Sequence, residues 1–338
     1  MSHDGAAGVG PDPRRGTAED DSSGGVEPTI AVAVCSAGRP ALVGDAVRTL
    51  LGLPGWQRGD EIVVALNGPA TAAAARVLDH LASARDGTAA PALVVVRSPE
   101  AALCRARNAA AGAATADLVA YLDDDARPRP TWLPALRRAF SDPTVAAAGG
   151  PIHPAWPARQ RQPSTGSSPP APPWFGPRIA PLFSLLDLGP TPADGERRPA
   201  PSRAFGANLA VRRRVLDAAG RFDERIGRGT SVANGDDSDL LLRVHERGGH
   251  VGWVPDAVVD HLIGADRATV AWLLRRAHTQ GLDDRHFRPG RPGPLEVVTQ
   301  GWVTLAADLR ADPRRWRAAL VADLAGRART LGRRRLRT

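Results

Sequence analysis

The chain has 338 residues, 43% of them apolar and 24% charged, with 35 Gly and 31 Pro. That composition supplies a packed core for one large domain or two ordinary ones, and excludes a disulfide-stapled mini-protein, a collagen-like repeat and a wholly disordered polymer. The formal charge of +8 has one source: residues 310–338 hold ten Arg and two Asp, the rest of the chain is balanced, and Lys is absent throughout. A single arginine-dense tail in a chain that uses no Lys is not a nucleic-acid footprint, so no specific nucleic-acid partner is expected. Cys35 and Cys104 are the only cysteines, too few for a disulfide framework or a zinc ribbon. No apolar run approaches the ~20 residues that span a bilayer. Together these predict a cytoplasmic protein, soluble or peripheral on the inner face of the cell membrane.

Residues 1–28, rich in Gly, Asp, Pro and Ser, are predicted to be disordered. A β-branched strand over 30–34 runs into Cys35-Ser36-Ala37-Gly38-Arg39-Pro40, then a helical pattern passes through Val43, Val47, Leu50 and Leu51. A second strand, 61–66, ends at the turn signal Asn67-Gly68-Pro69, and an alanine-rich helix over 70–84 leads to a third strand, 92–96. A helix over 101–114 precedes a fourth strand, 118–122, that continues into Asp123-Asp124-Asp125. Alternating strands and helices predict an α/β fold with a mostly parallel central sheet, and such sheets bind ligands beyond the carboxyl ends of their strands.

Residues 151–203 form a proline-dense insertion around an apolar island, 174–188, which suits an acceptor lid, a membrane-facing patch or a loop packing its own apolar residues. Order resumes at Phe205-Gly206-Ala207-Asn208. A helix from about Arg212, the acidic run Asp236-Asp237-Ser238-Asp239, a strand over 251–254 and the segment 255–261 follow. Helices are expected over 267–281, 293–309 and 313–331. In the last, Trp316, Leu320 and Leu324 recur among Arg314, Arg315, Arg317 and Arg327, as in a basic amphipathic helix on an anionic membrane; a solvated terminal helix fits the same pattern.

Two acidic clusters carry the chemistry. At the end of a buried strand, side-chain alternation puts Asp123 and Asp125 on one face and Asp124 on the other. Two carboxylates sharing a face repel unless a cation joins them, and hard oxygen ligands suit Mg²⁺ or Mn²⁺ holding a diphosphate. A solvated acidic turn is the plain alternative. Asp236, Asp237 and Asp239 open a helix, where one acidic cap is ordinary and three are not. A carboxylate there can serve as general base toward an incoming hydroxyl.

The chain resembles a family 2 glycosyltransferase. The resemblance rests on Val34-Cys35-Ser36-x-x-Arg39-Pro40, Ala106-Arg107-Asn108-Ala109, Tyr121 through Asp125 and Trp132-Leu133. In the second half it rests on Gly206-Ala207-Asn208, Gly220-x-Phe222-Asp223-Glu224, Asp236-Asp237-x-Asp239-Leu240, Arg243 and Pro255-x-Ala257 followed by His261. It spans about residues 29–281 and implies a GT-A fold that moves a sugar, with inversion, from a nucleotide-diphosphate donor to a hydroxyl acceptor. The acceptor would be a polysaccharide, a lipid-linked glycan or a small molecule. The implied division is a nucleotide-sugar half at 29–150, the insertion at 151–203, an acceptor half at 204–281 and a basic helical extension at 282–338. By matching positions, Asp237 is the catalytic base with Asp236 beside it. Cys35, Ser36, Arg39, Asn67, Arg107, Asn108, Asp123 and Asp124 bind the nucleotide-sugar, and Asp123, Asp125 and His261 hold the divalent metal. Leu66 stands where relatives carry a base-reading Asp, so Asn67 is the substitute reader. The rival readings are a nucleotidyltransferase, which would need a basic, glycine-rich triphosphate loop that residues 35–40 lack, and a non-catalytic nucleotide-sugar-binding module.

Overall fold

A computed structural model describes residues 27–69, 71–83, 91–157, 171–230, 234–287, 299–314 and 316. Four parallel strands build one half of the main sheet: β1 (Ile30–Ser36), β2 (Glu61–Asn67), β3 (Ala92–Ser98) and β4 (Leu118–Asp123). They are joined through α1 (Pro40–Leu51), α2 (Ala72–Ser83) and α3 (Leu103–Ala113). The chain continues through β5 (Ala126–Pro128), α4 (Trp132–Ala139), β6 (Val145–Gly149) and β7 (Ile152–Ala155). Beyond the insertion, where α5 (Pro192–Glu196) forms, come β8 (Leu209–Arg212), α6 (Arg213–Ala218), α7 (Asp236–Glu246), β9 (His250–Trp253) and β10 (Val259–Leu262). The described chain closes with α8 (Val270–Phe287) and α9 (Thr299–Ala311).

Among the described residues the main sheet has the order β3-β2-β1-β4-β8-β6-β9, with β8 antiparallel to both neighbours, and a small second sheet has the order β5-β10-β7. Strand β1 is buried along its whole length because both faces are covered. Ile30, Val32 and Val34 meet Val43, Val47 and Leu50 of α1, Leu78 of α2 and Trp132 of α4. The alternate residues Ala31, Ala33 and Cys35 meet Ala106 and Ala110 of α3 and Leu240 and Val244 of α7. Strand β3 is the sheet edge, and its Val95 is 36% exposed.

The insertion builds a third core. Trp156, Trp174, Ile179, Leu182 and Phe183 pack against Leu273 and Ala277 of α8, Leu305 of α9 and Trp316. The aromatic rings touch in series, Trp156 to Phe183 at 5.8 Å, Phe183 to Trp272 at 4.7 Å and Trp174 to Trp316 at 6.5 Å between centroids. The island 174–188 turns its large apolar residues inward onto the C-terminal helices, as in the reading of a loop that packs its own apolar residues. Trp316 is 3% exposed with its indole N–H donating to the buried Asp308 carboxylate at 3.1 Å, so it belongs to this core instead of a membrane-binding face. Leu320, Leu324 and the rest of the basic tail beyond Trp316 lie outside the described residues, as does most of the N-terminal tail. Among the described residues no helix is long and apolar enough to cross a membrane.

One buried side chain ties the two halves together. Asn208, at the entrance to β8, accepts from Trp132 Nε1 at 2.9 Å and donates to the Ala257 carbonyl at 2.8 Å and the Pro151 carbonyl at 3.2 Å. Replacing it leaves Trp132 Nε1 and the Ala257 carbonyl without partners at once, while the Pro151 carbonyl keeps the Val259 N–H. Asn208→Leu is expected to lower the unfolding free energy by about 3 kcal/mol in urea titration, with an unchanged denaturant slope.

Candidate functional site

The carboxyl ends of β1, β2 and β4 open onto a cavity of about 530 Å³, and the start of α7 closes its far wall. Asp123, Asp124 and Asp125 therefore line the same cavity as Asp236 and Asp237, although more than a hundred residues separate them. The floor is organised by which carboxylate meets which cation.

Strand β4 ends at Asp123, and a tight turn carries the chain through Asp124 and Asp125 into β5. The turn sends Asp124 toward β1, where its fully buried carboxylate accepts from Ser36 Oγ at 2.5 Å and from Arg39 through Nε at 3.1 Å and through Nη2. Burial pushes this carboxyl up to about 6 against the pull of Arg39 and Ser36. The Cys35–Arg39 loop is thereby fixed by Asp124. Ser36 and Asp124 hold each other, and Cys35, Arg39 and Asn67 also line the cavity.

Asp123 and Asp125 face the opposite way, toward β10. The antiparallel pairing of β10 with β5 sets His261 opposite Ala126, and the Leu262 N–H donates to the Asp125 carbonyl at 2.7 Å. His261 Nε2 then donates to Asp125 Oδ1 at 3.2 Å, with the ring 1% exposed. Burial would raise the Asp125 carboxyl, but the bond from His261, with Arg39 and Arg267 nearby, holds it well below the usual carboxylate range. One ligand atom from each of Asp123, Asp125 and His261 lies within 4.8 Å of the others, and His261 Nδ1 is buried without a hydrogen-bond partner. Two carboxylates and an imidazole form a donor set that a divalent ion such as Mn²⁺ or Mg²⁺ accepts, so the three predicted ligands fit the ion.

The second cluster separates into three tasks. Asp239 pairs with Arg243 one turn on, at 2.6 Å, and Arg243 also donates to the Ala219 and Arg221 carbonyls, which makes Asp239 structural. Asp236 takes Nη1 of Arg107, whose Nη2 reaches Asp123 Oδ1 at 3.5 Å. Asp237 remains toward the cavity, its Oδ2 accepting from the Gly206 N–H at 2.9 Å and its Oδ1 from the Ser238 N–H at 2.8 Å. Burial, with Asp236 beside it, pushes the Asp237 carboxyl up to about 6 despite Arg107 and those two donors. A carboxyl poised there is a base at neutral pH with a stronger pull on a proton than a free Asp.

Two predicted nucleotide-sugar residues are bonded to protein groups. Asn108 does not line this cavity: its amide donates to the Phe222 carbonyl at 2.9 Å and to Glu224 at 3.1 Å, and its Oδ1 accepts from the Phe222 N–H, locking the 220–224 turn. Arg107 is 4% exposed, held between the two acidic clusters, with its guanidinium 5.1 Å over the Phe222 ring. Gly206 explains its own place in the motif, since a Cβ there would lie 2.0 Å from Arg107 Nη2. Sequence reasoning missed Arg178, Arg228 and Arg276, which also line the cavity, and Arg267, whose Nη1 stands 3.7 Å from Asp125. In a chain whose only cation is Arg, nothing in the pattern separates these four from the other forty. Arg107→Met is expected to leave Asp236 buried and uncompensated and to lower stability by about 3–5 kcal/mol in chemical denaturation.

The fold resembles that of the mannosyltransferase PcManGT from Pyrobaculum calidifontis, solved with GDP-Man and Mn²⁺. The match has 21% identity, covers 89% of this chain and 81% of that one, and has a TM-score of 0.56. It also resembles GalNAc-T7 solved with UDP, GalNAc and Mn²⁺, at 15% identity over 82% of this chain and 54% of that one, TM-score 0.53. The architecture is thus the predicted GT-A type. In sequence, the chain is 27% identical over 252 residues to the succinoglycan biosynthesis protein ExoM of Rhizobium meliloti, covering 75% of this chain and 72% of that protein. It is 31% identical over 210 residues to the pre-mycofactocin glycosyltransferase of Mycobacterium tuberculosis, covering 60% of this chain and 39% of that protein. Residues 31–214, more than half of the chain, match glycosyl transferase family 2, and the chain belongs to that family.

Proposed function

We propose that this glycosyltransferase moves a sugar from a nucleotide-diphosphate donor to a hydroxyl acceptor by one in-line displacement, with inversion at the anomeric carbon. The observation that carries the reading is that both acidic clusters line one cavity, the two carboxylates of the metal-type donor set and the raised Asp237 carboxyl sharing it. In this reading the Cys35–Arg39 loop and Asn67, at the ends of β1 and β2, receive the nucleoside, Asn67 meeting the base. Asp123, Asp125 and His261 would hold a divalent ion, which supplies charge to the diphosphate as the glycosidic bond breaks.

The chain's own residues complete the step. The acceptor oxygen forms the new bond at the anomeric carbon as the bond to the diphosphate oxygen breaks, and Asp237 takes the hydroxyl proton. Its two backbone donors hold the carboxylate in place, so no reorganisation is required when the proton moves. A covalent route through the only thiol lining the cavity is disfavoured: burial pushes Cys35 up to about 12, leaving it protonated and non-nucleophilic. The acceptor is a polysaccharide, lipid-linked or small-molecule hydroxyl.

Asp237→Asn is expected to reduce transfer by about 10²- to 10⁴-fold while calorimetric binding of the donor with Mn²⁺ persists. Unchanged turnover removes Asp237 as the base. Because the base must be deprotonated, kcat/KM should fall about tenfold per unit as pH drops below about 6 and level off above it. The Asp237→Asn variant should lack that limb. Asp125→Ala should abolish the effect of Mn²⁺ on nucleoside-diphosphate binding; a retained effect places the ion elsewhere.

A further inference from the structure

Five carboxylates, Asp123, Asp124, Asp125, Asp236 and Asp237, line the floor of the cavity. Arg39 and Arg107 are bonded to them and Arg267 stands 3.7 Å from Asp125, which leaves an excess of two negative charges. A divalent ion on Asp123, Asp125 and His261 would cancel that excess, and a diphosphate with two negative charges would restore it. Three further arginines face the same space from other elements: Arg178 on the insertion, Arg228 on the loop before α7 and Arg276 on α8. Among the described residues neither Arg178 nor Arg228 forms an ion pair or a hydrogen bond through its guanidinium, in contrast to the floor arginines.

These side chains stand on fixed backbone. Arg178 lies in the short helical turn Pro177–Phe183, whose Ile179 and Phe183 are wholly buried in the third core. Arg276 Nε donates to the Leu182 carbonyl at 3.1 Å, which ties α8 to that turn. The Arg228 carbonyl accepts from the Leu103 N–H at 2.9 Å, and the next residue, Gly229, has φ +97° with room for no Cβ, since one would lie 2.0 Å from the Ala101 carbonyl oxygen.

We propose that Arg178, Arg228 and Arg276 form a cationic roof that clamps the diphosphate of the donor from the side opposite Asp123 and Asp125. The insertion and the C-terminal helices thereby become part of the donor site. This rests on the donor reading above and assigns to it three residues outside the motifs of the family. Guanidinium groups suit the task because they pair with phosphate oxygens through two N–H groups at once and keep their charge at any working pH. The roof would discriminate by charge, recognising the diphosphate and ignoring the base.

The test is calorimetric titration of the full-length protein, with and without Mn²⁺, by UDP, GDP, their monophosphates and inorganic pyrophosphate. Wild type and the double variant Arg178→Gln/Arg228→Gln are compared. The double variant is expected to weaken the better nucleoside diphosphate and pyrophosphate by about tenfold or more, and the matching monophosphate by less than about twofold. Arg178→Lys/Arg228→Lys should recover part of the loss, and an unshifted thermal midpoint shows that the fold is intact. Diphosphate affinity equal to wild type in the Gln variant overturns the roof. So does an equal loss for monophosphate and diphosphate, or a loss seen only in the acceptor KM, which would assign the arginines to an anionic acceptor. Wild-type protein that binds neither diphosphate overturns the donor reading itself, and the roof with it.

Discussion

The arrangement depends on one buried cation. Arg107 projects from α3 into the gap between the end of β4 and the start of α7, and its two terminal nitrogens meet Asp123 and Asp236. Without it the two acidic clusters would face each other across a desolvated space, and like charges at short range in a poorly screened site strongly disfavour such an approach. Burial opposes its charge, but Asp236 and Asp123 outweigh that and hold it more firmly protonated than a free arginine. A lysine could not substitute, since a single ammonium lacks the planar fork that addresses two partners in different directions. The surrounding sequence serves this one group: Gly206 has no Cβ to collide with it, and Phe222 lies flat beneath it with Tyr121 against that ring's edge at 5.1 Å.

Around that bridge, environment divides equal side chains into unequal roles. Asp125 is held ionised by His261 and two arginines, which suits a cation ligand. Asp237, desolvated and beside Asp236, has its proton affinity raised, which suits a base. Asp124 is also raised by burial but is closed off by Ser36 and Arg39, so it shapes the Cys35–Arg39 loop. Five aspartates of one cavity thus differ in what they can do because their neighbours differ.

The third core extends the same logic beyond the two halves of the sheet. A proline-dense segment cannot add strands to the sheet, since proline removes ladder donors, so it is ordered by aromatic packing instead. Trp156, Trp174 and Phe183 find their partners in Trp272 of α8 and in Trp316, from the far end of the chain. The hydrogen bond from Trp316 to Asp308 satisfies a carboxylate that would otherwise be buried alone. The C-terminal segment is therefore structural support for one wall of the cavity.

The sequence by itself determined the alternation of strands and helices, the two acidic runs, the glycine at 206 and the family to which they point. Those features are local: hydrophobic period, turn chemistry and residue spacing are set by neighbours along the chain. It also led correctly to Asp123, Asp125 and His261 as one cluster, because a family motif records a spatial fact in linear order. It did not disclose the surroundings of Asn108 and Trp316, whose partners Phe222 and Glu224 for one and Trp174 for the other lie more than a hundred residues away. The charge bridge through Arg107, the sorting of the aspartates and the gathering of Arg178, Arg228 and Arg276 around the same cavity were decided only by tertiary structure. Each depends on the distance between groups remote in sequence and on how much water lies between them, and neither quantity is written in the order of residues.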